Sequence, residues 1–169
     1  MTSASEDSMT PSKYGDKFHD HLLEQYKLYV EMADNISSRR ADSNQFYIKV
    51  LSALLAVVTV VIKLVPTSKP GQLGLVANLA IILLAVVLCA VWWINIESYR
   101  QLNSGKFVIV HEMEKNLPFP CYDAEWEELK RGEDRGKYWP LTHVERYVPI
   151  IVAVPFLVLL GCLLSEWGK

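Results

Sequence analysis

The stretch that decides the fold reads YIKVLSALLAVVTVVIKLV at 47–65, PTSKPGQL at 66–73 and GLVANLAIILLAVVLCAVWWIN at 74–95. Each apolar piece is long enough to cross a hydrocarbon core of roughly 30 Å at about 1.5 Å per residue. The connection between them is too short to hold a folded domain. The two pieces are therefore expected to be antiparallel neighbours in a membrane hairpin.

The rest of the chain is organised around that hairpin. Hydrophobic residues make up 51% of the 169 residues, and the formal net charge is −2. The average hides a segregation. No charge falls between Val50 and Ile62, between Gln72 and Ile96, or between Val148 and Ser165. The charged residues lie almost wholly in Met1–Gln45 and Glu97–Arg146. A near-neutral balance leaves no electrostatic footprint for nucleic acid. Cys89, Cys121 and Cys162 lack the paired spacing of a disulfide framework or a zinc site.

Residues 1–15 read as a disordered tail, polar and free of a signal-peptide pattern. Residues 16–45 read as an N-terminal cytoplasmic helix. Leu22, Tyr26, Tyr29, Ala33 and Ile36 recur there at steps of four and three, giving one apolar stripe. Residues 46–95 form the transmembrane hairpin, with both helices continuing beyond the bilayer. Trp92, Trp93 and Tyr99 have the amphipathic character of an interfacial belt. A break is expected at Asn103-Ser104-Gly105, after which Val110, Met113 and Leu117 resume the helical pattern. Residues 96–147 read as a cytoplasmic helical region. It includes a short helix, YDAEWEELK, that Asp123 can cap, and a capping-box pattern at Thr142–Glu145. Residues 148–165 supply a third transmembrane helix, near the lower length limit for spanning, with a re-entrant or buried helix as the other reading. The fold class is thus an all-α integral membrane protein.

Basic residues flank the hairpin and the third segment on one side: Arg39, Arg40, Lys49, Arg100, Lys106, Arg135, Lys137 and Arg146. The positive-inside rule places that side, with the N-terminus and residues 96–147, in the cytoplasm. Lys63 and Lys69 oppose it.

The candidate functional residues lie in the first span. Lys49, Ser52, Ala56, Thr59 and Lys63 follow steps of three and four, so they share one helix face. Lipid offers such a face nothing, which directs it to other helices or to water. Two readings fit: a pore lining, or packing through small residues with both lysines reaching for the interfaces. Asn78, with Ile82, Ala85 and Cys89, makes a weaker stripe in the second span. His19 and His21 at i, i+2 point to different faces of a helix. His111-Glu112-Met113-Glu114 lacks the second histidine of a zinc motif. No catalytic, cofactor or metal site is expected, and nothing supports an enzyme.

The residues resemble a known family. They are Leu23–Asp34 (LEQYKLYVEMAD) with Ile36-Ser37 and Arg39-Arg40, then Tyr99–Ser104 (YRQLNS) with Lys106–Ile109, His111-Glu112-Met113-Glu114, the 119–126 region and Pro140–Arg146 (PLTHVER). In order and spacing they resemble the RipA family of bacterial octameric membrane proteins, over roughly 22–164. The resemblance implies a homo-octamer in the bacterial cytoplasmic (inner) membrane, and a role in bacterial adaptation or growth inside host cells. It supplies no reaction. The architecture also resembles, more loosely, two-helix membrane effectors of bacterial defence. Two functions are therefore open: a cyclic homo-oligomer enclosing a central pore or chamber, or a membrane scaffold that recruits an unknown cytoplasmic protein partner without conducting ions.

Overall fold

A computed structural model describes residues 11–64, 72–134, 136–138 and 144–167. Its helices are α1 (Pro11–Tyr14), α2 (Phe18–Leu64), α3 (Gln72–Glu114), α4 (Cys121–Glu128) and α5 (Val148–Trp167), with a 3-10 turn at Lys130–Gly132. No strand occurs among the described residues. α1 is a single turn inside the stretch read as a tail. Residues 66–71 of the hairpin loop and the capping-box residues Thr142 and His143 lie outside the described residues, while Gln72 and Leu73, read as the end of that loop, open α3.

Three helices, α2, α3 and α5, are long and apolar enough to cross a membrane. α2 contains neither Gly nor Pro over its 47 residues, so nothing in its backbone forces an end. At about 1.5 Å per residue it is about 70 Å long, far more than one bilayer crossing requires. The break expected at Asn103-Ser104-Gly105 does not occur, because α3 continues through it to Glu114. One mid-helix glycine costs only about 1 kcal/mol against alanine, too little to end a helix anchored on both sides.

The chain divides into two compact units, one of Met1–Ile36 with Leu102–Trp139 and the other of Ser37–Gln101 with Pro140–Lys169. The second unit holds the membrane core. Tyr47, Leu51 and Val58 of α2 pack with Ile82, Ala85, Cys89, Trp92 and Ile96 of α3 and with Phe156 of α5. Both seams step by three and four, as antiparallel helices require. The weaker stripe of the second span is this seam: Asn78, Ile82, Ala85 and Cys89 are all buried. Ala85 and Cys89 are small, which lets the helices approach closely. In lipid such contacts stabilise through packing rather than through the hydrophobic effect. Pro155 sits inside α5, and the helix persists through it. The missing N–H is tolerable where neighbouring helices support the backbone.

The expected aromatic belt divides. Trp93 is exposed, while Trp92 is turned into the core at 1% exposure. Its ring stacks on Tyr47 at 5.6 Å between centroids, and its Nε1 donates to Asn44 Oδ1 at 2.8 Å. Asn95 Nδ2 donates to Ser43 Oγ at 3.2 Å, one turn on. These bonds fix the register of α2 against α3 at the end of the hairpin.

In the first unit, the stripe Leu22, Tyr26, Tyr29, Ala33 and Ile36 is the buried or half-buried side of α2. It faces Val110, which is fully buried, and Glu114. Tyr26 donates its hydroxyl to Glu114 Oε1 at 2.9 Å, and Lys106 Nζ lies 4.4 Å from the centre of the Tyr29 ring. Asp123 is not the cap of α4. The N-cap position is Pro120, which has no side chain to accept a bond. Glu114 fills that role from the end of α3. Its Oε1 accepts from the amide of Tyr122 at 2.9 Å, and its Oε2 from the Asp123 amide at 3.1 Å. A carboxylate there satisfies two of the free N–H groups of the helix start and complements its positive end.

Candidate functional site

The polar stripe of α2 stands clear of its own subunit. Lys49, Ser52, Ala56, Thr59 and Lys63 are all exposed, whereas Tyr47, Leu51 and Val58 on the other side of the helix are buried. Seen from one copy, the stripe therefore has no partner helix among the described residues of the second unit. The contrast with the other spans is chemical. The exposed side of the second span carries Val76, Leu83, Leu84, Val87 and Val91, all aliphatic and suited to lipid. The exposed side of α5 carries Ile150, Ile151, Val154, Leu157 and Val158. The first span turns two hydroxyls and two ammonium groups outward on one face, beside exposed Ile48, Val57, Val60 and Ile62.

Lys49 and Lys63 are fourteen residues apart, or about 21 Å along the helix. They mark the two ends of the stripe, each within side-chain reach of an interface in a bilayer of roughly 30 Å. Between them, Thr59 donates its hydroxyl to the Leu55 carbonyl at 2.8 Å. This back-bond uses the donor inside the helix and leaves the oxygen's acceptor capacity outward. Ser52 and Ala56 complete a narrow, small-residue surface.

Asn78 does not join these residues. It is 6% exposed, inside the α2–α3 seam, and its Oδ1 has no hydrogen-bond partner among the described residues. Sequence spacing alone could not separate a buried stripe on α3 from an exposed one on α2, because both step by three and four.

A second polar zone lies where the hairpin leaves the apolar region. Arg100 and Gln101 donate to the Glu97 carboxylate. The Arg100 guanidinium, chiefly, holds Glu97 below the usual carboxylate range. Arg40 Nε lies 3.4 Å from Glu145 Oε2 as a charge contact without hydrogen-bond alignment. Sequence reasoning missed this zone; Asn44 and Asn95, at equal sequence distances from the hairpin loop, are a signal that could have found it.

The remaining candidates are scattered. Tyr14 and His21 share a 2.7 Å hydrogen bond, and His111 packs beside Phe107. Cys89 is buried, and Cys121 and Cys162 are exposed free thiols. Among the described residues no three His, Cys, Asp or Glu side chains stand close enough to hold a metal ion.

The fold and this outward polar face define a class: a helical membrane protein with three candidate spans. The model of the octameric membrane protein family (8xMP) matches residues 23–165. The chain belongs to that family and is an oligomeric membrane protein. No curated protein and no solved structure matches it.

Proposed function

We propose that eight copies close into a ring in the bacterial cytoplasmic membrane, and that the α2 stripe lines its axis as a non-enzymatic pore or chamber. The observation that carries this reading is the exposure of Lys49, Ser52, Thr59 and Lys63 on the side of α2 away from the subunit core. A lipid-facing position would leave the Ser52 hydroxyl and the outward acceptor of Thr59 without a partner, whereas α3 and α5 present aliphatic surfaces for lipid. Cyclic closure of identical subunits turns one repeated face toward the axis. Two rings of lysine, one at each end of the stripe, favour anions. The basic flanks support an orientation with the N-terminus and residues 96–147 in the cytoplasm.

Conductance across a planar bilayer under a salt gradient tests the reading. Wild-type protein should pass anions in preference to cations. Lys49→Glu should move the reversal potential toward cations, and Thr59→Leu should lower conductance. Unchanged selectivity and conductance in both variants would exclude the stripe as the lining. A silent but intact octamer would favour a scaffold for a cytoplasmic partner instead.

A further inference from the structure

The first unit carries an apolar patch that its own chain leaves uncovered. Leu28 and Met32 of α2 are 59% and 43% exposed, and Leu102 and Ile109 of α3 are 52% and 41% exposed. The Tyr26–Glu114 bond and the Lys106–Tyr29 contact set the register between the two helices. That register puts Leu28 about level with Ile109, and Met32 about level with Gly105. The chain after α3 packs on the opposite side. Tyr122 meets the ring of Phe107 on α3 and feels the charge of Asp34 on α2. Leu102 and Ile109 lie roughly 150° around α3 from Phe107 at about 100° per residue, and Leu28 and Met32 lie roughly as far around α2 from Asp34.

This patch is not a lipid surface. Glu24, Gln25 and Glu31 border it on α2, and Glu112 on α3, all exposed. Gly105 lies between Leu102 and Ile109 and is helical. A Cβ added there would meet nothing within 4 Å. The subunit's own packing thus gives no reason for glycine, which weakens a helix interior relative to alanine. Glycine on an exposed apolar helix face fits the close approach of another helix or loop from outside.

We infer that this patch is the seat of a neighbouring copy of the chain, packed over Gly105 in the assembled ring. The inference rests on the oligomeric reading above. A closed ring needs two different faces on each copy, one giving and one receiving. The receiving face is Leu28, Met32, Leu102, Gly105 and Ile109. The giving face is the opposite side of the same unit, where Phe119 stands 64% exposed beside α4. Aromatic side chains of this kind anchor protein interfaces.

Native mass spectrometry of the full chain, released from bilayer nanodiscs, tests the seat. Gly105→Leu adds helix propensity, and its Cβ meets nothing within 4 Å in the subunit. It should nevertheless lose the octamer, with helicity by circular dichroism unchanged. Phe119→Asp should lose the octamer likewise, while Lys115→Leu, off the patch, should keep it. An intact octamer in Gly105→Leu overturns the inference and leaves the pore reading standing. Solvent access supplies a second measurement. In a Cys121→Ser, Cys162→Ser background, Ile109→Cys should be protected from a water-soluble maleimide in the assembled protein, and Lys115→Cys should be labelled. Equal labelling overturns the seat. A wild-type chain that stays monomeric in nanodiscs, with residue 109 freely labelled, overturns both readings.

Discussion

Glu114 is the side chain whose loss should be felt furthest along the chain. It is 1% exposed and ties three segments together: α2 through the Tyr26 hydroxyl, its own helix α3, and the start of α4 through two backbone amides. In Glu114→Ala the amides of Tyr122 and Asp123 lose their acceptor. Leaving a buried donor unsatisfied costs about 1–3 kcal/mol, and a lost helix cap about 0.5–2 kcal/mol. The two amides are only part-buried, and the Tyr26 hydroxyl can turn to water. A total of about 2–3 kcal/mol is therefore expected. At about 1.4 kcal/mol per factor of ten, local opening of α4 should rise on the order of a hundredfold. Glu114→Gln keeps one acceptor oxygen and should cost about half as much. Hydrogen exchange of the peptide spanning α4, read by mass spectrometry, measures this directly. If Glu114→Ala leaves the Tyr122 and Asp123 amides as protected as in wild type, the clamp does not hold α4 and the reasoning fails. Asp123→Ala is the contrasting variant. Its side chain is not the cap, so only its interaction with the helix end is lost, about 0.3–1 kcal/mol.

Three further outcomes follow from the same geometry. Burial first, and the bond to Glu114 second, push the Tyr26 phenol above its ordinary value. A raised folded value means stability that is present below about pH 10, the unfolded value, and lost as pH climbs past it toward the folded value. Thermal melts from about pH 8 to 11 should therefore show a steeper alkaline loss in wild type than in Tyr26→Phe, and parallel losses would remove Tyr26 from the account. Trp92→Phe should keep the stack on Tyr47 and strand the Asn44 carbonyl, lowering stability in detergent by about 1–2 kcal/mol; an unchanged melting temperature would make the bond incidental. Val58→Ala, at a fully buried seam position, should cost on the order of 1–3 kcal/mol through the cavity it leaves, and Val60→Ala, exposed on the same helix, should cost little; equal losses in detergent melts would contradict the seam.

Much of this architecture is legible in the residues. Apolar runs of fixed length with charge confined to their flanks specify three candidate spans, because a bilayer has one thickness and tolerates few charges. The stripe from Leu22 to Ile36 marked the buried side of α2 outside the apolar span, since a 3.6-residue period leaves one face to bury. Local signals served less well. Asn103-Ser104-Gly105 looked like a break, yet packing on both sides carried α3 through it. Asp123 had the right chemistry and the right neighbourhood for a cap, yet the cap came from Glu114, a residue eight positions upstream of the first amide it binds.

The sequence by itself determined that this chain lives in a membrane, that its first two spans are antiparallel neighbours, and that one face of the first carries polar residues. Only the tertiary structure decided which stripe turns inward. Asn78 to Cys89 and Lys49 to Lys63 share the same spacing, and spacing carries no information about direction. Direction is set by which faces pack: Trp92 on Tyr47, Ile82 and Ala85 in the core with Leu51 and Val58, and Phe156 from α5 closing the cluster. Those contacts bury the α3 stripe and leave the α2 stripe, with its two lysines, facing out of the subunit.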